Sequence, residues 1–333
     1  MINTAILGYG KSANTFHLPF LKILEDFNVT TFVSSKNDLI LKNYPHAKIY
    51  QDIDLLVKDE EVDLVVITTP SFLHYNQAKI LLEAGKHLVV EKPFTVRSSE
   101  AQELVDYAKK MNLKLTVFQN RRWDSGFLQL KKIISENRLG DINYYQVNFD
   151  RWRPDLQNRW REEDIDGSGI LYDLGVHLID QAINLFGEPD SIISDIDKQR
   201  PGSKTVDYFH IVFKYAEARI VLHASCLALS SGDHIVVHGS KASFRQKELD
   251  QQEGLLLAGI MPQSTEWNLK NLVSSQLISS ESKYELLNEG CYIDFYKQLA
   301  EAIMYDAPVP VDPEDSVSVI KIIEEISSSQ ILM

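Results

Sequence analysis

Over the first 120 residues, short apolar runs alternate with stretches in which hydrophobic residues recur at helical spacing. The apolar runs are bounded by polar residues, as is typical of strands buried on both faces of a sheet. They lie at residues 4–7, 29–33, 63–68, 87–90 and 114–118. Helical patterns separate them, including an amphipathic stretch at 98–111. This alternation predicts right-handed βαβ crossovers and a doubly wound parallel sheet.

The pattern changes after about residue 121, where stretches of alternating polar and apolar residues begin. They lie at 143–150, 208–215, 219–225 and 234–238, and they predict a mostly antiparallel sheet with one covered face. Helical patterns follow at 172–186, 292–304 and 313–327. The pattern leaves open which domain the last two helices pack against. We therefore predict an α/β protein with two domains, at 1–121 and 122–333.

Composition narrows the class of partner. The net charge is −13 at pH 7, whereas a nucleic-acid binder must neutralise phosphates with clustered Lys and Arg, so no nucleic acid is expected as a partner. The apolar runs are much shorter than the roughly 20 residues of a membrane span, and the N-terminal pattern is that of a strand, so we expect no membrane partner and no secretion signal. Cys226 and Cys291 have neither metal-binding spacing nor a disulfide framework, so we expect no metal and a cytoplasmic location.

The segment GYGKSA follows the first predicted strand and opens a helix. Such a glycine spacing alone also fits a simple tight turn, but its place in the first βαβ unit indicates a dinucleotide site. Gly8 would permit the turn, Gly10 would let the backbone approach the pyrophosphate, and Ala13 would allow close helix packing. Tyr9 and Ser12 complete the expected contacts at this helix N-terminus.

The tip of the second predicted strand bears on which dinucleotide binds. It carries Ser34, Ser35 and Lys36, with no acidic residue before Asp38. A carboxylate would repel the extra phosphate of NADP, whereas two hydroxyls and a lysine would hold it. The segment therefore favours NADP(H), with NAD(H) possible, and the alternative is a solvated turn without a binding role.

Lys92 follows the strand at 87–90 and precedes Pro93. Open α/β sheets bind ligands at the carboxyl ends of their strands, which is where this lysine is predicted to lie. A lysine in such a place can also be an ordinary surface residue. Pro93 restricts the conformation of Lys92, which gives its side chain a definite direction.

Asp173 and His177 are four residues apart in a predicted helix, so they share one face. They could form an ordinary surface contact. Alternatively, the carboxylate could orient and tune an imidazole that moves protons near neutral pH.

Arginine and tryptophan cluster near the predicted domain junction. Asn120, Arg122 and Trp123 lie in FQNRRWD at the end of the last parallel strand, and Arg153 lies in DRWRP. Such residues supply fixed donors and a flat stacking face, which suit a polyhydroxylated or anionic substrate. The alternative is a cluster of salt bridges between the domains.

Together, GYGKSA, TTPSFLH, AGKHLVVEKP, QNRRWD and LYDLGVHLID resemble the Gfo/Idh/MocA family of NAD(P)-dependent oxidoreductases. The resemblance extends over essentially the whole chain. NRRWD, DRWRP, RWRE and VDYFH make it most similar, within that family, to the bacterial NADP-dependent scyllo-inositol dehydrogenases. The resemblance implies an N-terminal Rossmann domain and a C-terminal α/β domain with a large open sheet, in a homodimer or homotetramer.

The resemblance also implies roles for individual residues. Lys92, Asp173 and His177 would form the catalytic set, with Thr69, Pro70 and His74 along the cofactor and Glu91 beside the nicotinamide. Further cofactor contacts are expected at Lys92, Asn120 and Arg122. The expected substrate contacts are Lys92, Asn120, Trp123, Arg153, Asp173 and His177.

The activity implied is hydride transfer between the nicotinamide and a secondary alcohol or ketone of a cyclic polyol or sugar. His177 would accept the hydroxyl proton, and Lys92 would stabilise negative charge on the oxygen. The alternatives are a related sugar or ketose dehydrogenase, and a dinucleotide-binding regulator without turnover.

Overall fold

The computed structural model describes residues 1–329, which form two compact units. The first unit contains residues 1–120, 253–268 and 292–320, and the second contains 121–252, 269–291 and the rest of the C-terminal helix. The domains predicted from sequence placed every residue after 121 in the second domain. Residues 253–268 and 292–320 instead cluster with the first unit.

The first unit is built on a six-stranded parallel sheet with the order β3-β2-β1-β4-β5-β6. Its strands are β1 (Ile2–Leu7), β2 (Phe27–Val33), β3 (Lys48–Tyr50), β4 (Leu64–Ile67), β5 (His87–Val90) and β6 (Leu115–Val117). All of β4 is buried, which explains its uninterrupted apolar run. The strand order reverses at β1, which pairs with both β2 and β4, so a crevice opens there at the carboxyl ends of the strands.

The second unit is built on an eight-stranded sheet with the order β14-β13-β12-β11-β7-β10-β9-β8. Its strands are β7 (Ile142–Asn148), β8 (Ser191–Asp197), β9 (Tyr208–Lys214), β10 (Arg219–Ser225), β11 (Ile235–Gly239), β12 (Ser243–Gln246), β13 (Val273–Ile278) and β14 (Lys283–Asn288). All neighbours are antiparallel except β7 and β10. The predicted fold class, a doubly wound parallel sheet followed by a mostly antiparallel one, is confirmed.

Eleven α-helices connect and cover these sheets within residues 1–329. They are α1 (Leu18–Ile23), α2 (Asn37–Asn43), α3 (Ile53–Val57), α4 (His74–Glu83), α5 (Ser98–Lys110), α6 (Ser125–Ser135), α7 (Val176–Phe186), α8 (Gln252–Leu257), α9 (Thr265–Lys270), α10 (Ile293–Tyr305) and α11 (Pro313–Ser329). Along the same stretch of chain, no helix combines the length and the apolar character that crossing a bilayer requires.

Helix α10 belongs to the first unit, which answers the question that the sequence pattern left open. Its Tyr296 ring packs against the rings of Phe20 and Phe27. The chain beyond α10 is fixed by Thr116 of β6, whose hydroxyl donates to the carbonyl of Val311. The first 120 residues are therefore covered by a segment that the chain supplies near its end.

A buried ion pair holds together the approach to β9 in the second unit. Asp207 is fully buried and accepts hydrogen bonds from the backbone N–H groups of Gln199 and Arg200. The Arg200 guanidinium, itself buried, donates to the same carboxylate at 2.9 Å. A second carboxylate, that of Glu162, lies 3.5 Å from the same guanidinium, so two acidic side chains compensate the buried charge of Arg200.

We expect Asp207→Ala to lower the free energy of unfolding by about 3 kcal/mol, because the buried Arg200 guanidinium loses its nearest carboxylate and keeps only that of Glu162, at 3.5 Å. Urea unfolding measures the change. The matched control is Lys204→Ala, which breaks an exposed ion pair with Glu163 in the same region and should leave stability almost unchanged. Equal effects of the two substitutions would contradict this account.

Candidate dinucleotide and catalytic site

The glycine loop leaves β1 in a conformation that only glycine adopts readily. Gly8 has φ +97°, and a Cβ there would lie 3.1 Å from the hydroxyl oxygen of Thr68. Thr68 donates that hydroxyl to the carbonyl of Gly8 at 2.8 Å. At Gly10, by contrast, no atom of the described chain lies within 4 Å of the position that a Cβ would take. This open cradle at the start of a helical segment fits the pyrophosphate of a dinucleotide.

The helical segment after the loop begins with a π-turn, Ala13–His17, in which the N–H of Leu18 donates to the carbonyl of Ala13. Residues five apart would point about 140° away from each other in an α-helix. The wider turn brings Ser12 and His17 round to the same side, and both bond to Glu91. The 3.6-residue periodicity of the sequence gives no sign of this irregularity.

The tip of β2 lies beside the glycine loop. Lys36 is exposed, and its ammonium donates to the carbonyl of Tyr9 at 3.0 Å. The hydroxyl of Ser34 accepts the N–H of Lys36 at 3.2 Å, and Ser35 is exposed. The Lys36 ammonium therefore lies at the glycine loop, while Ser34 and Ser35 precede it at the tip of β2.

His74 ties together the loops after β4 and β5. Its Nδ1 lies 2.9 Å from the carbonyl oxygen of Pro93, and its Nε2 lies 2.9 Å from that of Thr69. Only 1% of the residue is exposed, and this burial lowers its pKa. Thr69 also donates its hydroxyl to Gln77, and Pro70 starts a 3₁₀ turn. His74 thus acts on the site by fixing the backbone on either side of the crevice.

Glu91 is a buried carboxylate at the end of β5. Its Oε1 accepts hydrogen bonds from the hydroxyl of Ser12 and, at 2.9 Å, from Nε2 of His17, while its Oε2 accepts the N–H of Lys92 at 3.0 Å. Burial by itself would raise the pKa of Glu91. The hydrogen bond and the charge of His17, the hydrogen bond from Ser12 and the charge of Lys92 together outweigh it and lower the pKa to about 2. The peptide bond between Lys92 and Pro93 is cis.

In the second unit, Asp173 and His177 lie where a π-turn, Leu171–Gly175, leads into α7. The Asp173 carboxylate is within ion-pair distance of Arg151 at 3.8 Å and Arg161 at 3.5 Å. His177 is 4% exposed. Asp173 therefore lies between two positive charges.

Helix α7 also carries two polar residues that the sequence analysis missed. Both carboxylate oxygens of Asp180 accept bonds from the guanidinium of Arg122, at 2.8 and 2.6 Å. Gln181 donates its side-chain amide to the carbonyl of Arg121. The only sequence signal is a pair of polar residues within the apolar face of this helix. Arg122, which the sequence analysis predicted to contact the cofactor, is thus bound to Asp180 of α7.

The remaining predicted substrate residues differ in accessibility. Trp123 is 7% exposed, so little of its ring is available as a stacking face, and its carbonyl accepts from the side chain of Gln252. Asn120 is buried at the end of the first unit's main segment. Arg153 is half-buried, and its N–H donates to the carbonyl of Cys226 at 2.8 Å.

Comparison with known proteins bears on this arrangement. Residues 2–119 match the family model described as "Oxidoreductase family, NAD-binding Rossmann fold", and residues 131–330 match "Oxidoreductase family, C-terminal alpha/beta domain". Fold, glycine loop and family models together define an oxidoreductase with a nicotinamide-dinucleotide-binding domain. The chain belongs to the Gfo/Idh/MocA family, which confirms the resemblance drawn from its motifs.

Individual relatives match along the whole length. The chain is 37% identical to scyllo-inositol 2-dehydrogenase (NADP(+)) IolW of Bacillus subtilis, over 97% of this chain and 92% of the relative. It is 38% identical to the uncharacterized oxidoreductase YdgJ of Escherichia coli, over 97% and 94%. The solved structure of the Bacillus subtilis protein yvaA superposes with a TM-score of 0.94 at 36% identity, covering 98% of this chain and 95% of that one.

The two glycines of the loop provide a matched pair of variants. In Gly10→Ala the methyl group enters open space, so we expect unchanged stability but at least about tenfold weaker dinucleotide binding, because the methyl fills the pyrophosphate cradle. Gly8→Ala strains the backbone and should also lower the free energy of unfolding by about 1–2 kcal/mol. Fluorescence titration with NADPH and urea unfolding measure the two effects. Wild-type affinity in Gly10→Ala would exclude the loop as the phosphate site.

The low pKa of Glu91 predicts an acid sensitivity. Because the folded pKa of about 2 is below the ordinary value of 4.5, the carboxylate stabilises the fold above pH 4.5, and this contribution is lost as the pH falls towards 2. Between pH 6 and pH 3, the wild type should lose about 2 kcal/mol more than Glu91→Gln. Urea unfolding at each pH gives the difference. Glu60→Gln, at an exposed position, should show the same dependence of unfolding free energy on pH as the wild type. If Glu91→Gln also showed the wild-type dependence, the low pKa of Glu91 would be refuted.

Proposed function

We propose that this protein is an NADP-preferring dehydrogenase that oxidises a CH–OH group of a cyclic polyol or sugar, of the scyllo-inositol type, or reduces the corresponding ketone. The observation that carries the proposal is its 37% identity, over 97% of the chain, to a relative named for NADP-dependent scyllo-inositol oxidation. The motifs in which Lys92, Asp173 and His177 lie support the same reaction class.

The preference for NADP is supported by the tip of β2. Ser34, Ser35 and Lys36 offer two hydroxyls and an ammonium, and an acidic side chain that would repel a 2′-phosphate is absent from these three positions. The Lys36 ammonium already rests on the glycine loop through the carbonyl of Tyr9. A phosphate at this edge of the loop would therefore meet a positive charge whose direction is set.

The proposed mechanism assigns one task to each catalytic residue. The bound nicotinamide supplies the site that accepts or donates hydride. His177 accepts the hydroxyl proton of the alcohol during oxidation and returns it during reduction. Asp173, an anion on the same helical segment, favours the imidazolium that His177 then becomes. Lys92 stabilises the negative charge that develops on the substrate oxygen.

The proposal includes a homodimer or homotetramer. On β9, alternate residues Phe209, Ile211 and Phe213 are buried, while the residues between them are only half-buried. The half-buried face of the eight-stranded sheet is the surface that a second subunit would cover. Light scattering of the purified protein measures the assembly directly.

Activity is tested by following reduced-nicotinamide absorbance with a panel of inositols and aldoses, each with NADP and with NAD. We expect turnover with at least one cyclic polyol and a higher kcat/KM with NADP. Lys92→Met and His177→Ala should each lower kcat by about 10²–10⁴-fold while NADPH binding stays within about threefold. A fall in kcat of this size is what the loss of charge stabilisation (Lys92→Met) or of proton transfer (His177→Ala) would cause by itself.

Exposed residues provide the controls. Lys110→Met and His46→Ala remove the same groups at exposed positions and should leave kcat unchanged. NADPH binding without turnover of any panel member would favour the regulator over the enzyme. A doubly substituted Lys92→Met, His177→Ala protein that retained a near-normal rate would refute the proposed mechanism.

A further inference from the structure

A series of hydrogen-bonded side chains connects Glu91 to α10, near the end of the sequence. Nε2 of His17 lies 2.9 Å from Oε1 of Glu91, and Nδ1 of His17 lies 2.5 Å from the hydroxyl oxygen of Tyr296 on α10. His17 and Tyr296 are 279 positions apart in the sequence, and both lie in the first unit. Neither residue is used in the mechanism described above.

The positions of the hydrogens in this hydrogen-bonded series follow from the chemistry of Glu91 at one end and Tyr296 at the other. An ionised Glu91 only accepts hydrogen bonds, so Nε2 of His17 must carry a proton and donate it. In a neutral imidazole Nδ1 then holds a lone pair, so Tyr296 donates its hydroxyl proton to that nitrogen. In this tautomer every O–H and N–H along the hydrogen-bonded series points towards the carboxylate. The hydroxyl of Ser12 and the N–H of Lys92 point towards it as well.

The surroundings keep this arrangement in place. The side chain of His17 is 0% exposed, and its ring packs on Phe118 with centroids 4.3 Å apart. The Tyr296 ring also contacts Phe118, besides Phe20 and Phe27. Burial, together with the charge of Glu91, raises the pKa of Tyr296, so its hydroxyl keeps its proton. Hydrogen bonds inside such an apolar enclosure are stronger than exposed ones.

We propose that His17 and Tyr296 are positioning residues for the reaction proposed above: as a hydrogen-bonded relay they hold the Glu91 carboxylate ionised and fixed, and through it the backbone N–H of Lys92. Tyr296 never touches substrate. It acts by fixing the tautomer and ring plane of His17, which in turn sets the orientation of the carboxylate. The backbone that carries the Lys92 side chain is therefore fixed by three segments of the chain: the glycine-loop helix, the end of β5 and α10.

Tyr296→Phe is the first test, because it removes the hydroxyl and keeps the ring that fills the aromatic enclosure. We expect kcat to fall about tenfold, with the KM for the polyol and the dissociation constant for NADPH within about twofold of wild type. The melting temperature should stay within a few degrees of wild type. The matched control is Tyr145→Phe, at a fully buried tyrosine in the second unit whose hydroxyl bonds to no described residue, and its kcat should not change.

A pair of variants at His17 separates hydrogen bonding from packing. His17→Gln keeps a donor for Glu91, whereas His17→Leu removes it. We therefore expect the kcat of His17→Gln to be at least about fivefold higher than that of His17→Leu. The acid limb of the kcat profile should move to higher pH in His17→Leu, because the carboxylate loses a donor. The groups that act on this carboxylate are Ser12, His17 and Lys92, with Tyr296 and His74 coupled to it by charge.

A measurement without turnover keeps this inference separate from the proposed function. Nitrogen-15 NMR of the imidazole should show the Nε2–H tautomer of His17 in the wild type, and a shifted Nδ1 resonance in Tyr296→Phe. If no polyol is oxidised but this signature is found, the proposed function fails and the relay stands. A proton on Nδ1 in the wild type, in the other tautomer or in a doubly protonated ring, would overturn the relay. So would a Tyr296→Phe enzyme with wild-type kcat, or one whose kcat falls only in proportion to its melting temperature.

Discussion

The negative charge of Glu91 is the constraint around which the first unit is assembled. A carboxylate buried at the end of a parallel strand is costly unless donors surround it. Here the donors come from the glycine-loop helix, through Ser12 and His17, and from the backbone of Lys92. The next bond, from Tyr296, brings α10 into the same arrangement. One buried charge thus connects the glycine-loop helix, the end of β5 and α10.

Much of the fold could be predicted because its central strands are buried on both faces. The strand at 87–90 has the bounds that its apolar run predicted, and those of its neighbour β4 differ by only one residue at each end. The edge elements could not be predicted in this way. Strand β3 has three residues, none of them buried, and β14 is largely exposed, so neither needs a hydrophobic pattern. Strand β3 is held by pairing with β2, and β14 by pairing with β13, so backbone hydrogen bonds rather than buried side chains place them in their sheets.

The site was predictable where chemistry coincides with a local motif. The glycine loop, Lys92 at its strand end and the Asp173–His177 spacing all lie within a few residues of recognisable signals. His17 and Asp180 gave no such signal, because an isolated polar residue in an apolar segment does not reveal its partner. The two π-turns add a further limit, since each shifts the faces of a helix in a way that 3.6-residue periodicity does not register.

The origin of α10 has a consequence for how the protein is made. During synthesis, the first 120 residues leave the ribosome long before residues 292–320. Until α10 is made, the surfaces of Phe20, Phe27 and Phe118 that contact Tyr296 stay uncovered. During that interval the aromatic surface is available to chaperones or to other nascent chains. Completion of this unit is thereby coupled to synthesis of nearly the entire polypeptide, although its sheet is encoded at the beginning.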